Sequence, residues 1–328
     1  MATRLPLGSA SARKQSKLKR DARIYVAGHR GLVGSAVTRA LGAKGYTDVV
    51  TRTRAELDLV DRRAVDAFFE TERPAYVVLA AAKVGGILAN DTAPADFIRE
   101  NLLIQTHVID AAYRFGTEKL LFLGSSCIYP KLAPQPIREE YLLTGPLEPT
   151  NDAYAVAKIA GIQMCRAYHK QHGFAAISAM PTNLYGPLDN FDLKSSHVLP
   201  ALMRKFHEAK ERGEPSVPIW GTGSPRREFL HVDDLADACL FLLERYDSPD
   251  PINVGVGEDV SIKELAQIIR DVVGFRGELA FDSSKPDGTP QKLLDVSKLS
   301  TLGWRAKTPL EGGIAATYDW YRANAQRS

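Results

Sequence analysis

The stretch Arg23-Ile-Tyr-Val-Ala-Gly28-His-Arg-Gly31-Leu-Val-Gly34 decides the fold class. Its first half is short, β-rich and closed by glycine. Its second half opens a run in which Leu32, Val33, Ala36, Val37, Ala40 and Leu41 recur at helical spacing. A strand that turns through glycines into a helix is the opening unit of a doubly wound α/β sheet, and the glycines permit a tight turn, a close backbone approach to a pyrophosphate and close helix packing. The spacing is GxxGxxG and not GxGxxG, so the same glycines also suit a turn that binds nothing.

Outward from this unit the alternation continues. Apolar strands are expected at 48–51, 76–81, 119–123 and 175–180, separated by helical patterns such as 64–70, 96–115 and 152–172. Alternating strand and helix implies a parallel sheet wound on both faces, here a Rossmann-type sheet. From Pro181 the pattern turns irregular and proline-rich, before a helix at 233–244 and a strand at 252–256. We therefore expect a dinucleotide-binding domain of residues 23–182 plus about 229–257. A smaller, interleaved C-terminal domain for the substrate would comprise 183–228 plus about 258–328. Ser261 and Glu264 form a capping box that opens a helix through Val273.

The chain has 328 residues and a net charge of +3, but Arg4, Arg13, Lys14, Lys17, Lys19 and Arg20 lie in the first twenty without an acid, so the rest carries +3 less 6, or −3. The basicity belongs to residues 1–22, expected to be a disordered tail, and a body of negative charge disfavours nucleic acid as a partner. The most apolar stretch, 76–89, contains Lys83 and Gly85-Gly86 and falls short of a bilayer span, so no membrane partner is expected. Cys127, Cys165 and Cys239 are odd in number and lack a CxxC pair, which argues for a reducing, cytoplasmic setting and against a metal site.

Three positions carry chemistry. About twenty residues past Gly34, where an acid would grip the ribose 2′-hydroxyl of NAD, stand Arg52 and Arg54. Guanidinium groups there suit the 2′-phosphate of NADP(H), with Arg30 able to add a second and with Asp58 and Leu59 within reach of the adenine. Tyr154 and Lys158 are four residues apart, on one face of a helix, and a nearby ammonium suits a phenol that moves a proton. Gly124-Ser125-Ser126 ends the fourth strand, where open α/β sheets place their ligands.

The glycine loop, a serine at the end of the fourth strand and the Tyr-x-x-x-Lys pair resemble the extended short-chain dehydrogenase/reductase family. The segments Ala27-Gly-His-Arg-Gly-Leu-Val-Gly34, Leu123-Gly-Ser-Ser-Cys-Ile-Tyr-Pro130, Glu148-Pro-Thr-Asn151, Pro181-Thr-Asn-Leu-Tyr-Gly-Pro187 and Ser196-His-Val-Leu-Pro200 are similar to its members that act on GDP-4-keto-6-deoxy-mannose, from about Arg23 to the C-terminus. The resemblance implies 3,5-epimerisation of that sugar followed by NADPH-dependent reduction at C4, with a GDP-sugar as the partner and a homodimer as the assembly. It implies Cys127 and His197 as the epimerising base and acid, Tyr154 as the acid of reduction, Ser125 on the carbonyl oxygen and Lys158 on the nicotinamide ribose. It further implies cofactor contacts at Gly28, His29, Arg30, Gly31, Leu32, Val33, Gly34, Arg54, Leu123, Gly124, Ser125, Ser126, Pro181, Thr182, Asn183, Leu184 and His197. GDP-sugar contacts would fall at Lys205, Trp220, Arg227 and Asp287. Without the resemblance, Cys127 reads as a small buried hydrophobe and His197 as an ordinary structural histidine. The rivals are a 4-epimerase holding NAD, which Arg52 and Arg54 oppose, and an NADP-binding regulator without turnover, which the Ser125, Tyr154 and Lys158 set opposes.

Overall fold

In the computed structural model, which describes residues 18–193, 195–285 and 287–324, β1 (Ile24–Ala27) ends at Gly28 and α1 (Leu32–Ala43) begins four residues on. All four residues of β1 are buried, as a parallel strand covered on both faces requires. The chain continues through β2 (Val49–Val50), α2 (Arg62–Glu72), β3 (Tyr76–Leu79), the short α3 (Ile87–Thr92), α4 (Pro94–Arg114), β4 (Lys119–Leu123), α5 (Asp152–His172) and β5 (Ala175–Pro181). There follow β6 (Asn183–Tyr185), α6 (Val198–Arg212), β7 (Ser216–Trp220), β8 (Arg226–Arg227), β9 (Phe229–His231), α7 (Val232–Arg245) and β10 (Ile252–Val254). The last elements are β11 (Val260–Ser261), α8 (Ile262–Val273), β12 (Glu278–Asp282), β13 (Gln291–Lys292), α9 (Ser297–Thr301) and α10 (Leu310–Asn324).

Six parallel strands pair in the order β10-β5-β4-β3-β1-β2. The chain leaves β1 toward β2 on one side, whereas β3 leads to β4 on the other, so the loops after β1 and β3 part and open a crevice at the strands' carboxyl ends. Alternate residues of β1 serve opposite faces. Ile24 and Val26 join Val37, Leu41, Leu235 and Leu242 of α1 and α7, while Tyr25 and Ala27 join Phe69, Val108, Ile109 and Ile162 of α2, α4 and α5. A separate cluster of Tyr185, Met203, Phe206, Leu265, Ile269, Phe275, Ile314 and Tyr318 unites α6, α8, α10 and the β7–β12 pair. The capping box holds: Glu264 N donates to Ser261 Oγ at 3.1 Å and Ser261 N to Glu264 Oε2 at 2.7 Å.

Two boundaries depart from the sequence reading. Residues 1–17 of the expected tail lie outside the described residues, but 18–22 belong to the fold. Leu18 is buried in the sheet's core, the Arg20 guanidinium lies 4.5 Å from the Tyr46 ring and the Arg20 carbonyl accepts from Thr47. One apolar side chain among the lysines provides the anchor. Likewise α9 falls in the stretch expected for the smaller domain, yet Leu299 and Trp304 pack in the cluster of α1 and α7, where Trp304 Nε1 donates to Asp237 at 3.1 Å.

Candidate active site

A cleft of about 680 Å³ follows the carboxyl ends of β1, β3, β4 and β5. Its walls include Gly28, Gly31, Leu32, Val33 and Gly34 from the glycine loop, Arg54, Asp58 and Leu59 beyond β2, and residues 80–85 after β3. Gly28 has φ +88°, and a Cβ on it would stand 2.7 Å from Ala81 N, so the loops after β1 and β3 touch backbone to backbone. A Cβ on Gly34 would meet Gly28 O at 2.1 Å, because α1 sits directly on its own entry turn. At Gly31 the nearest atom would be Gly28 O at 3.5 Å, leaving its backbone facing open space at the start of a helix. That is the cradle a pyrophosphate needs. Between Gly28 and Gly31, His29 and Arg30 occupy a tight turn closed by Gly31 N donating to Gly28 O at 3.0 Å.

The two arginines after β2 also part company. Arg52 is paired with Glu72, donates to the Thr51 carbonyl and lies over the Phe68 ring, so its charge is already matched. Arg54 keeps 72% of its side chain exposed and has only distant partners, Asp58 Oδ1 at 3.8 Å and Glu100 Oε2 at 3.7 Å. Glu100 is itself held by Lys83 at 2.7 Å. Arg54 is thus the more exposed and more loosely paired of the two guanidinium groups, and the residues present fit NADP(H).

The second wall is made by 123–127, Tyr154, Lys158, 181–184 and His197. Tyr154 and Lys158 stand one turn apart on α5. Lys158 is buried, donates to the Leu123 carbonyl at 2.8 Å and lies 4.8 Å from the Phe122 ring and 5.9 Å from that of Tyr154. Burial brings its pKa down to about 7. Burial, then the neighbouring Cys127 charge, holds the Tyr154 phenol well above its ordinary value, against a hydrogen bond from Ser125 that pulls it down. A phenol so placed is protonated at neutral pH, the form that donates. Thr182 and Asn183 are tied to the Glu228 carbonyl at 3.3 and 2.8 Å, which fixes the end of β5.

Cys127 follows Ser125 in a single 3₁₀ turn, its amide donating to Ser125 Oγ at 3.2 Å. Lys292 Nζ stands 3.4 Å from its Sγ. Burial works to raise the thiol's pKa, but the Lys292 charge and hydrogen bonds from Ser125, Lys292 and Asn151 outweigh it and bring it below the ordinary value. Cys165 and Cys239, enclosed by apolar groups, are instead pushed up to about 12. Of the three thiols, Cys127 alone is shifted toward the thiolate, and it faces the cleft. His197 precedes α6 and also lines the cleft. Desolvation there, followed by the Lys292 charge, lowers its pKa and keeps the imidazole neutral.

Lys205, Trp220, Arg227 and Asp287 lie outside the cleft wall but close to one another. Lys205 Nζ is 5.7 Å from the 64% exposed Trp220 ring, and Asp287 accepts from Thr222 N at 2.7 Å and Thr222 Oγ1 at 2.9 Å. A Cβ on Gly288, next in the chain, would stand 3.6 Å from Arg227 Nη2, and Arg227 feels the Cys127 charge. The patch thus leads from a cation and an indole on the surface to the Cys127 thiol. Sequence reasoning missed Lys292, Asn151 and Asp189. Asp189 lines the cleft with Oδ2 unpartnered, and burial pushes it up to about 7. An Asp-Asn pair after Gly-Pro reads as plain loop, and nothing local marks Lys292, 165 residues from Cys127. Among the described residues no group of three or more His, Cys, Asp or Glu side chains could hold a metal ion, and no helix is long and apolar enough to cross a membrane.

Comparison with known proteins agrees with this fold. Residues 24–255 match the model of the NAD dependent epimerase/dehydratase family. The chain is 63% identical over 305 residues to GDP-L-fucose synthase 1 of Arabidopsis thaliana, covering 93% of this chain and 94% of that protein. It superposes with a TM-score of 0.90 on a GDP-6-OMe-4-keto-L-xylo-heptose reductase from C. jejuni, at 41% identity over 94% of this chain and all of that one. A GDP-L-fucose synthetase from Naegleria fowleri bound to NADP gives a TM-score of 0.89 at 34% identity, over 95% and 96% of the two chains.

Proposed function

The chain belongs to the NAD dependent epimerase/dehydratase family, and from that premise we propose that it converts GDP-4-keto-6-deoxy-D-mannose to GDP-L-fucose, inverting C3 and C5 and then reducing the C4 ketone. One observation carries the reading: the lowered thiol of Cys127 and the neutral His197 face the same cleft as Ser125, Tyr154 and Lys158. An epimerase acting beside a ketone needs a base and an acid. A ketone reductase needs a phenol. This cleft offers both sets to one sugar.

The C4 ketone acidifies the hydrogens on C3 and C5. Cys127 as thiolate removes one of them, while Ser125 hydrogen-bonds the oxygen on which charge gathers. His197, in its protonated form, returns a proton to the opposite face. After both centres are inverted, Tyr154 gives its proton to the C4 oxygen. The backbone at Gly28, Gly31 and Gly34, with Arg54 and Lys158, would hold NADPH, which would supply the hydride. Lys205, Arg227, Trp220 and Asp287 would take the diphosphate and guanosine, two cations matching the phosphates. Residues 23–182 and about 229–257 serve as the cofactor domain in this reading, and 183–228 with about 258–328 as the substrate domain, apart from the α9 region. Val156, 44% exposed on the long α5, supports pairing of two copies through α4 and α5, and three free cysteines support a reducing, cytoplasmic setting.

The test is product identification. With NADPH and GDP-4-keto-6-deoxy-D-mannose, the sugar formed is GDP-L-fucose; in heavy water without NADPH, C3 and C5 take up deuterium. Cys127→Ser, whose hydroxyl is a far weaker acid, abolishes that uptake and leaves slow reduction to a GDP-6-deoxy sugar of other stereochemistry. Uptake at the wild-type rate in the variant would remove Cys127 from the mechanism.

A further inference from the structure

We propose that Lys292 is the counter-ion of Cys127, a positioning residue that keeps the thiol ionised as a base and is supplied to the end of β4 by a strand outside the six-stranded sheet. The proposal deepens the reading of Cys127 as the epimerising base and rests on it for its catalytic consequence, though the ion pair itself does not.

The geometry is specific. Lys292 ends β13, which lies parallel to β8 with Lys292 in register with Arg227. Its backbone is pinned on both sides. Gln291 Nε2 donates to Asp259 at 2.6 Å, Leu293 N to Gln135 Oε1 at 2.9 Å, and Leu294 N to the buried carboxylate of Glu228 at 3.1 Å. The strand cannot drift from the thiol without breaking these bonds. At the tip, Nζ approaches Sγ to 3.4 Å. A half-buried ammonium whose hydrogen-bond partner is a thiol stabilises the thiolate and loses solvation if the thiol stays neutral.

The other groups facing Cys127 cannot take over this task. Ser125 and Asn151 donate without charge. The Tyr154 phenol is disfavoured as an anion by the same thiolate. Arg227, the second cation from this sheet, is drawn to the Arg226 carbonyl at 2.7 Å and heads the patch proposed for the diphosphate, where its charge would be matched by substrate. Lys292 also acts on His197, lowering its pKa as it lowers that of Cys127.

The experiment uses the full chain and the variants Lys292→Met and Lys292→Arg. Each is alkylated with iodoacetamide across a range of pH, the mass of the peptide carrying Cys127 giving the rate. An opposite charge at this distance shifts an ionisation by about one to three pH units, so in Lys292→Met the midpoint moves up by at least about one pH unit. The plateau rate at alkaline pH holds or rises, since a thiolate of higher pKa is the better nucleophile. Lys292→Arg brings the midpoint most of the way back, and NADPH binding, read by nicotinamide fluorescence, is unchanged in both. Deuterium uptake at C3 and C5, followed in parallel, loses its acid limb by the same displacement in Lys292→Met. Should Lys292→Met fail to fold, Lys292→Gln serves the same measurement. A midpoint that does not move overturns the assignment of Lys292. A midpoint that moves while the pH dependence of deuterium uptake does not would leave the ion pair standing and overturn Cys127 as the base.

Discussion

Alanine at two glycines of the same loop separates what the loop does for the fold from what it does for the cofactor. At Gly34 a Cβ would lie 2.1 Å from Gly28 O, 2.5 Å from Gly28 C and 2.8 Å from His29 N, all backbone atoms that cannot rotate away. Ordinary contact requires the turn and the helix to separate by about 1 Å, an overpacking that costs about 1–3 kcal/mol. Gly34→Ala should therefore unfold at lower denaturant and also lose NADPH, because the cradle spreads. At Gly31 the added carbon meets nothing closer than 3.5 Å, and the backbone there, φ −81° and ψ 169°, is open to any residue. Gly31→Ala should stay within about 0.5 kcal/mol of wild type, a reduced unfolded-state entropy offsetting a poorer helix cap. Its methyl, however, stands where phosphate oxygens must approach the amides, and a loss of at least about tenfold in NADPH affinity, roughly 1.4 kcal/mol, is expected. Urea unfolding and a fluorescence titration with NADPH read the two effects on the same samples. If Gly31→Ala binds NADPH as wild type does, the loop is not the pyrophosphate cradle.

Further outcomes follow from the same geometry. Arg54→Glu replaces the exposed guanidinium with a repelling carboxylate; a charge-assisted bond is worth roughly 1.5–3 kcal/mol, so kcat/KM for NADPH should fall at least about tenfold and that for NADH much less, and an unchanged preference would take Arg54 out of the site. Tyr154→Phe keeps the ring packed edge-on against Phe97 at 6.4 Å but deletes the proton, so NADPH oxidation should drop about 10²- to 10⁴-fold while deuterium uptake largely survives; near-normal oxidation would refute its role. The two half-reactions should also differ in pH dependence. A base works above its pKa, and Cys127 is lowered, so uptake should persist below the ordinary thiol range of about 8.5 and fail only on further acidification. An acid works below its pKa, and Tyr154 is raised, so its proton should remain available well into the alkaline range. Coincident profiles would show that a single group limits both.

Much of the chain was legible because its signals are local. β4 (Lys119–Leu123) and α5 (Asp152–His172) coincide with their sequence patterns, the Ser261–Glu264 capping box forms as read, and Tyr154 and Lys158 meet on one face because a helix brings residues four apart together. The parallel pairing of the sheet follows from alternation, since each parallel pair needs a crossover connection. Gly28 and Gly34 were legible for a similar reason: a strand that turns at once into a helix has room for little else.

What remained hidden depends on contacts between segments far apart in the chain. Arg52 and Arg54 look alike two residues apart, and only the approach of Glu72 to Arg52 shows which guanidinium remains for a phosphate. Leu18 and Trp304 join the core of α1 and α7 without a local signal, because an isolated apolar side chain does not reveal which core it joins. Cys127 carries the same side chain as Cys165 and Cys239. Its ionisation differs from theirs because electrostatic energy depends on distance in space, and Lys292, 165 residues along the chain, stands 3.4 Å from its sulfur.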